Sequence, residues 1–430
     1  MTSYTFNSLI LKAVAIISTV ILLSACGGGA SNSETATTPT PKIPTPDETD
    51  YCKQQVSGVN WNALLNNNCE NLSDYNLFTN ATDPTNNPTA GGIPYDLSTA
   101  LFTDYASKYR FIFVPDGESA TYSDNEVMEF PVGSVLVKTF ALPDDTANRT
   151  GAQTVIETRL LINRDSGWIA LPYYWEASTD AKFIVIGKSV DITITHDSSL
   201  LNFTYEVPRA SDCAECHAIV PMLQNSNDVR RSIFKPIGPK ARFLNNDFLY
   251  SDGLQNQLTY WENAGILTGA PVDKTSVDTA ANFHDADSIS ATKITIDALS
   301  SDELATAARS YLDINCAHCH RSELSLVEPF YEGPAGDSGL RLEFNRMFDP
   351  VSTDFGTCKK ALASGEDDHP FDIVPGHSEV SYLPFRMNSL EGTHKMPELG
   401  RSTIHQEGVY LIEKWIDDMP ENTCRLTLAP

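Results

Sequence analysis

The chain has 430 residues and carries 56 acidic against 30 basic side chains, a formal net charge of −26. That charge repels nucleic-acid phosphates and anionic headgroups, so no nucleic acid partner is expected and a basic protein partner is. Apolar residues make up 41%, enough to bury cores in two or three domains of about 100–200 residues each, and no repeat of fixed period marks a solenoid.

Residues 13–23 (AVAIISTVILL) are apolar and follow Lys12. They are too short to cross roughly 30 Å of hydrocarbon as a helix but fit the apolar core of a signal peptide. The next stretch, Leu23-Ser24-Ala25-Cys26-Gly27, resembles the bacterial lipoprotein box. This implies a signal peptide over 1–25, a lipidated Cys26 anchored in a membrane, and, from Gly27, sorting to the outer membrane of the cell envelope. Residues 27–50 hold no large apolar side chain except Ile43. With Cys26 they read as a disordered tether with a reach of roughly 25–30 Å, longer where proline extends it.

Residues 51–90 read as a short, Asn-rich, partly helical lead-in. From 91 to 210 the runs 110–114, 134–140, 154–162, 168–175, 183–186 and 190–195 are rich in β-branched and aromatic residues and are separated by Asp, Gly, Asn and Pro. They predict an antiparallel β-sandwich-like domain. Trp168, Tyr173, Tyr174 and Trp175 fit core or domain cover better than a ligand platform. A helix is expected near 254–264.

The nine cysteines sort by spacing. Cys213-Ala214-Glu215-Cys216-His217 and Cys316-Ala317-His318-Cys319-His320 are both C-x-x-C-H, the attachment signature of c-type haem. Each cysteine adds across one vinyl group, two intervening residues set both sulfurs along one edge of the macrocycle, and the adjacent histidine turns toward the iron. Two covalently bound haem c groups are therefore expected, with His217 and His320 as proximal ligands. A structural zinc site fits less well, because each motif offers only crowded ligands. Cys52, Cys69, Cys358 and Cys424 remain, and four cysteines allow three pairings. Cys52–Cys69 and Cys358–Cys424 are favoured, since each pair lies within one expected domain.

Residues 211–295 form the segment of the first motif. Beyond it, Ser300-Ser301-Asp302-Glu303 is a capping box before a helix with Leu304, Ala308, Tyr311 and Leu312 on one face. The second motif ends that helix. Thr403-Ile404-His405-Gln406 opens another, with Val409, Ile412, Trp415, Ile416 and Met419 at helical spacing. Two such helices around a C-x-x-C-H motif resemble a class I cytochrome c, so residues 296–430 are expected to form a mostly helical cytochrome c-like domain. The resemblance implies a sixth iron ligand in the loop before the last helix, where His394-Lys395-Met396-Pro397-Glu398 offers Met396, with His377 and His394 behind it. His369 and His405 are expected at the surface and Met347, Met387 and Met419 in the core. The first haem has no clear distal ligand; Met222, five residues after His217, is the candidate.

Ile93-Pro94-Tyr95-Asp96, Phe130-Pro131-Val132-Gly133, Glu157-Thr158-Arg159-Leu160, Pro236-Ile237-Gly238-Pro239-Lys240-Ala241-Arg242, Asp313-Ile314-Asn315 before the second motif, and Met396-Pro397-Glu398-Leu399-Gly400-Arg401 together make the chain similar to a family of bacterial exported dihaem c-type cytochrome lipoproteins. That family joins a β-rich N-terminal module to a C-terminal cytochrome c domain. The resemblance spans about residues 90–420. It implies a multidomain α+β fold, electron transfer with a redox partner protein, and a parallel β-helix protein as a further partner. Two other functions fit the same residues: a dihaem cytochrome c peroxidase-like oxidoreductase with one open iron, and a surface module that binds carbohydrate or protein and carries a redox domain. The acidic runs Asp144-Asp145 and Glu366-Asp367-Asp368 lack calcium-loop spacing and read as solvated loops.

Overall fold

The computed structural model describes residues 50–177, 179–221, 232–283, 288–321, 331–346, 353–362, 369–422 and 424. The signal, tether, Cys26, Met222, Met347 and the run 366–368 lie outside the described residues. Strand alternation sets the architecture: successive side chains point to opposite faces, so each strand serves two different layers. The strands are Gly92–Tyr95 (β1), Ser107–Phe113 (β2), Ala120–Thr121 (β3), Val135–Pro143 (β4), Gln153–Arg164 (β5), Gly167–Ala177 (β6) and Asp180–Phe183 (β7). All but β3 form one six-stranded antiparallel sheet in the order β1-β2-β4-β5-β6-β7, while β3 runs parallel to residues 267–268.

On one face Phe111, Phe113, Val135, Val137, Leu160 and Ile162 are buried beneath the lead-in, where Leu64 of α1 (Trp61–Asn66), Leu72, Tyr75 and Leu77 cover them. Cys52 is bonded to Cys69 within that cover. The other face divides along β4. Leu136 joins a core with Ile112, Phe243, Leu258, Trp261 and Ile314. Phe140 joins a second with Tyr105, Ile194 and Tyr205, the last two from the hairpin Lys188–His196 (β8) and Ser199–Val207 (β9). Lys138, between Leu136 and Phe140, belongs to neither core.

The mixed α+β class holds, but the sandwich expectation is corrected. Among the described residues the large sheet is single, covered by the lead-in on one side and by loops, short helices and a two-stranded hairpin on the other. The apolar run 183–186 is also corrected: β7 ends at Phe183, and Val185 and Ile186 are exposed. Tyr173 and Trp175 are buried, and Trp168 packs edge-on against Phe130.

The helical part begins with Ala214–His217 (α2), Ala241–Leu244 (α3), Gln257–Asn263 (α4) and Ile289–Asp297 (α5). Ser301–Asn315 (α6) starts at Ser300, whose Oγ accepts from Glu303 N while Glu303 Oε2 accepts from Ser300 N, so two of the orphan donors at the helix start are satisfied. Tyr382–Met387 (α7) and Gln406–Asp417 (α8) follow. Leu304, Ala308, Tyr311 and Leu312 of α6 pack with Val409, Ile412, Trp415 and Ile416 of α8. Gly408 permits that approach, since a Cβ there would run into the Tyr311 hydroxyl and lie 2.7 Å from His405 Nδ1. Cys358 is bonded to Cys424 behind this core.

The segments from 91 onward belong to one compact unit, Thr49–Pro430. Ile314 of α6 sits in the same core as Leu136 of the sheet. Asp104 accepts hydrogen bonds from Ser402 N and Thr403 N, both at 2.7 Å, tying the sheet's loop to the start of α8. Among the described residues no helix is long and apolar enough to cross a membrane.

Candidate functional site: two cysteine motifs on one cavity

The first motif is wound into a helical turn. A 3-10 turn over Ala210–Cys213 runs directly into α2, so Cys213 and Cys216 fall on one face, as i and i+3 positions do on a helix. The second motif continues α6. Cys316 caps that helix, and Cys319 N and His320 N both donate to Cys316 O, at 3.1 and 2.8 Å, adding one more turn with the same pairing of sulfurs.

The two motifs meet. Cys213, Cys216, His217, Cys316, His318 and Met396 line one cavity of about 640 Å³ between the sheet and the helical part. Ligand atoms of Cys216, His318 and Cys319 lie within 4.8 Å of one another, and Cys319 Sγ donates to Glu215 O at 3.5 Å. Hydrogen bonding from Cys319, reinforced by His318, holds the Cys216 thiol below its ordinary range, while the same sulfur contact pushes Cys319 up. Burial raises Cys213, and burial pushes Cys316 up to about 12.

Each motif histidine is oriented through its inner nitrogen. His217 Nδ1 lies 2.7 Å from Lys235 O, and since a carbonyl only accepts, Nδ1 carries the proton and Nε2 keeps its lone pair. His320 Nδ1 lies 3.1 Å from Ser338 Oγ. Burial lowers both imidazoles to about 4, so both are neutral near pH 7, the form that binds a metal.

A buried ion cluster fixes the second motif from behind. Asp313, three residues before Cys316, accepts from Lys240 Nζ at 2.9 and 3.1 Å, from Arg242 Nε at 3.0 Å and from Phe344 N at 3.3 Å. Arg321, immediately after the motif, forms a two-pronged pair with Glu126 at 2.6 and 3.0 Å. The Pro236–Arg242 and Asp313–His320 segments are thereby locked together.

Met396 reaches the cavity wall, and its backbone is held by Arg386 O (3.1 Å from Met396 N) and Arg401 Nη2 (2.8 Å from Met396 O). Met387 also lines the cavity; His377, His394 and His320 do not. The surface expectation for His405 is corrected: it is buried, stacked 4.2 Å from Phe102 and 2.9 Å from the Tyr311 hydroxyl. The residue opens α8, and the helix end turns its ring inward toward the sheet's loops. His369 is half-buried against Phe385, at 4.3 Å. Asp145 accepts from Ala147 N and caps a short turn, a structural task for that acidic pair.

Sequence reasoning missed the polar part of the wall. Arg110, Lys138, Arg159 and Arg401 line the cavity, but inside strands and loops they read as ordinary surface charge. A usable signal was Lys138 itself, a cation flanked by Val137 and Thr139 within an apolar strand. A comparison of the chain with protein-family models, curated proteins and solved structures finds no match.

Proposed function

We propose that the protein is a membrane-tethered dihaem c-type cytochrome that carries electrons in the cell envelope. The observation that carries this reading is the convergence of two C-x-x-C-H motifs on one cavity, with a neutral histidine in each whose Nδ1 is already engaged. Cys213 and Cys216 would hold one macrocycle with His217 as iron ligand, and Cys316 and Cys319 the other with His320. Haem, when bound, supplies a one-electron iron couple whose potential follows from axial ligand and burial.

The chain's own residues do the rest. The Lys235 carbonyl fixes the His217 ring and raises its basicity, and the Ser338 hydroxyl holds the His320 ring in place. Met396 offers a thioether, which stabilises ferrous iron. Cys216 and Cys319 bring the two attachment sites into contact, so an electron need not leave the protein between them. The charge of −26 steers a basic redox partner, with a rate that falls as salt rises. Lipidation of Cys26 would hold the assembly at the outer membrane.

The test is a pyridine haemochrome assay on protein made in a host with haem-attachment machinery. Two thioether-linked haems per chain are expected, one after Cys213→Ala with Cys216→Ala; colourless protein refutes the proposal. A second reading rests on Cys216, His318 and Cys319, whose clustered ligand atoms suit a soft ion such as Zn²⁺ in a chain without haem. Elemental analysis of colourless protein would reveal it as one zinc per chain.

A further inference from the structure

The antiparallel register sets three cations side by side. Arg110 of β2 pairs directly with Lys138 of β4, and Lys138 with Arg159 of β5. All three line the cavity that holds Cys213, Cys216 and His217. Like charges directly opposite one another in a sheet are unfavourable, and a charge away from water costs more unless it is paired. The flanking two are paired: Arg110 with Asp96, and Arg159 with buried Glu157 at 2.5 and 2.8 Å. The central one is not. Among the described residues no carboxylate and no hydrogen-bond acceptor reaches Lys138 Nζ, which rests 4.8 Å over the Phe140 ring. Lys138 is half-buried; burial, with Arg110 and Arg159 adding to it, depresses the lysine while Glu157 partly offsets this, so the row presents one cation to the cavity that has no carboxylate directly paired with it.

We infer that the Arg110–Lys138–Arg159 row is a carboxylate-binding site inside the cavity, and that its occupant is a propionate of the macrocycle held at Cys213, Cys216 and His217. This rests on the haem reading above. The cysteines take the vinyl groups, and the two carboxylates of the macrocycle lie on the edge away from them. Lys138 acts as a positioning residue: its charge fixes that edge and raises the potential of the iron. A free carboxylate from solution shares the same chemistry and is separated by the experiment.

The experiment uses the full chain with both haems, counted first by haemochrome. Colourless protein refutes the functional reading; two haems leave the inference to be judged by potentials. Spectroelectrochemical titration of Lys138→Met should show one haem with its reduced-to-oxidised ratio lowered roughly tenfold at a given potential, or ~59 mV for one electron. This is the scale of one unit charge about 10 Å away at an effective dielectric of about 20. The other haem is unchanged, and Lys138→Arg restores the wild-type value. Lys138→Gln is a second variant should the apolar one fail to fold. Potentials of both haems equal to wild type in Lys138→Met or Lys138→Gln overturn the inference. Citrate titrated into wild-type protein, an arm that needs no variant, should shift nothing; a citrate-dependent shift overturns the propionate assignment in favour of a free anion.

Discussion

Replacing Asp313 with asparagine should be among the most damaging single changes in the molecule. Its carboxylate is fully buried, and the side chains of Arg242 and Lys240 beside it are 1% and 8% exposed. Burial pushes the carboxyl pKa up, but Arg242 and Lys240 more than offset this and hold it well below the usual value of 3.8. The amide of Asp313→Asn would keep the shape while leaving two buried cations without an anion, a change that costs about 3–5 kcal/mol. Because the folded-state pKa is depressed, the stabilisation is full above the unfolded value near 3.8 and is lost as the pH falls toward the folded-state value. Urea unfolding of wild type and Asp313→Asn, followed by tryptophan fluorescence from pH 7 down to pH 3, measures it. The gap should be widest at neutral pH and begin to narrow below pH 4. A loss under about 1 kcal/mol at pH 7, or a gap that does not change with pH, would refute the reasoning that a charge pair, rather than side-chain shape, holds this junction.

The remaining predictions concern the same frame. The Cys358–Cys424 bridge closes a separation of 66 residues and Cys52–Cys69 one of 17, so replacing each pair by serine should cost about 4.4 and about 3.1 kcal/mol on a chain-entropy estimate; equal or reversed losses in urea melts would count against that ordering. Gly333→Ala puts a Cβ into Cys319 O and 2.7 Å from His318 O, so about 1–3 kcal/mol of overpacking is expected, with the second haem's visible spectrum altered and the first unchanged; two unaltered spectra and an unchanged midpoint would contradict it. Met396→Leu conserves volume, so stability should fall by less than about 1.5 kcal/mol and two haems should remain. The ferric methionine–iron absorption band should disappear and one potential drop, and retention of that band would remove Met396 as a ligand.

What the sequence determined is what a few adjacent residues decide. The two C-x-x-C-H motifs are legible because both sulfurs and the histidine must sit within one turn, a requirement met inside five residues. The Ser300–Glu303 capping box and the apolar stripe of α8 are legible for the same reason, since helix geometry couples only near neighbours. The strand runs could be read from β-branched and aromatic content, but their layering could not: the single sheet and its lead-in cover depend on which face each strand presents and on what lies above it. The tertiary structure alone brought the two motifs, far apart in the chain, onto one cavity wall and turned His405 inward. It also set Arg110, Lys138 and Arg159 in a row, because cross-strand register, not sequence spacing, chooses those neighbours. The proposed covalent attachment is local chemistry, whereas the field and the walls around the two motifs come from segments that become neighbours only when the chain has folded.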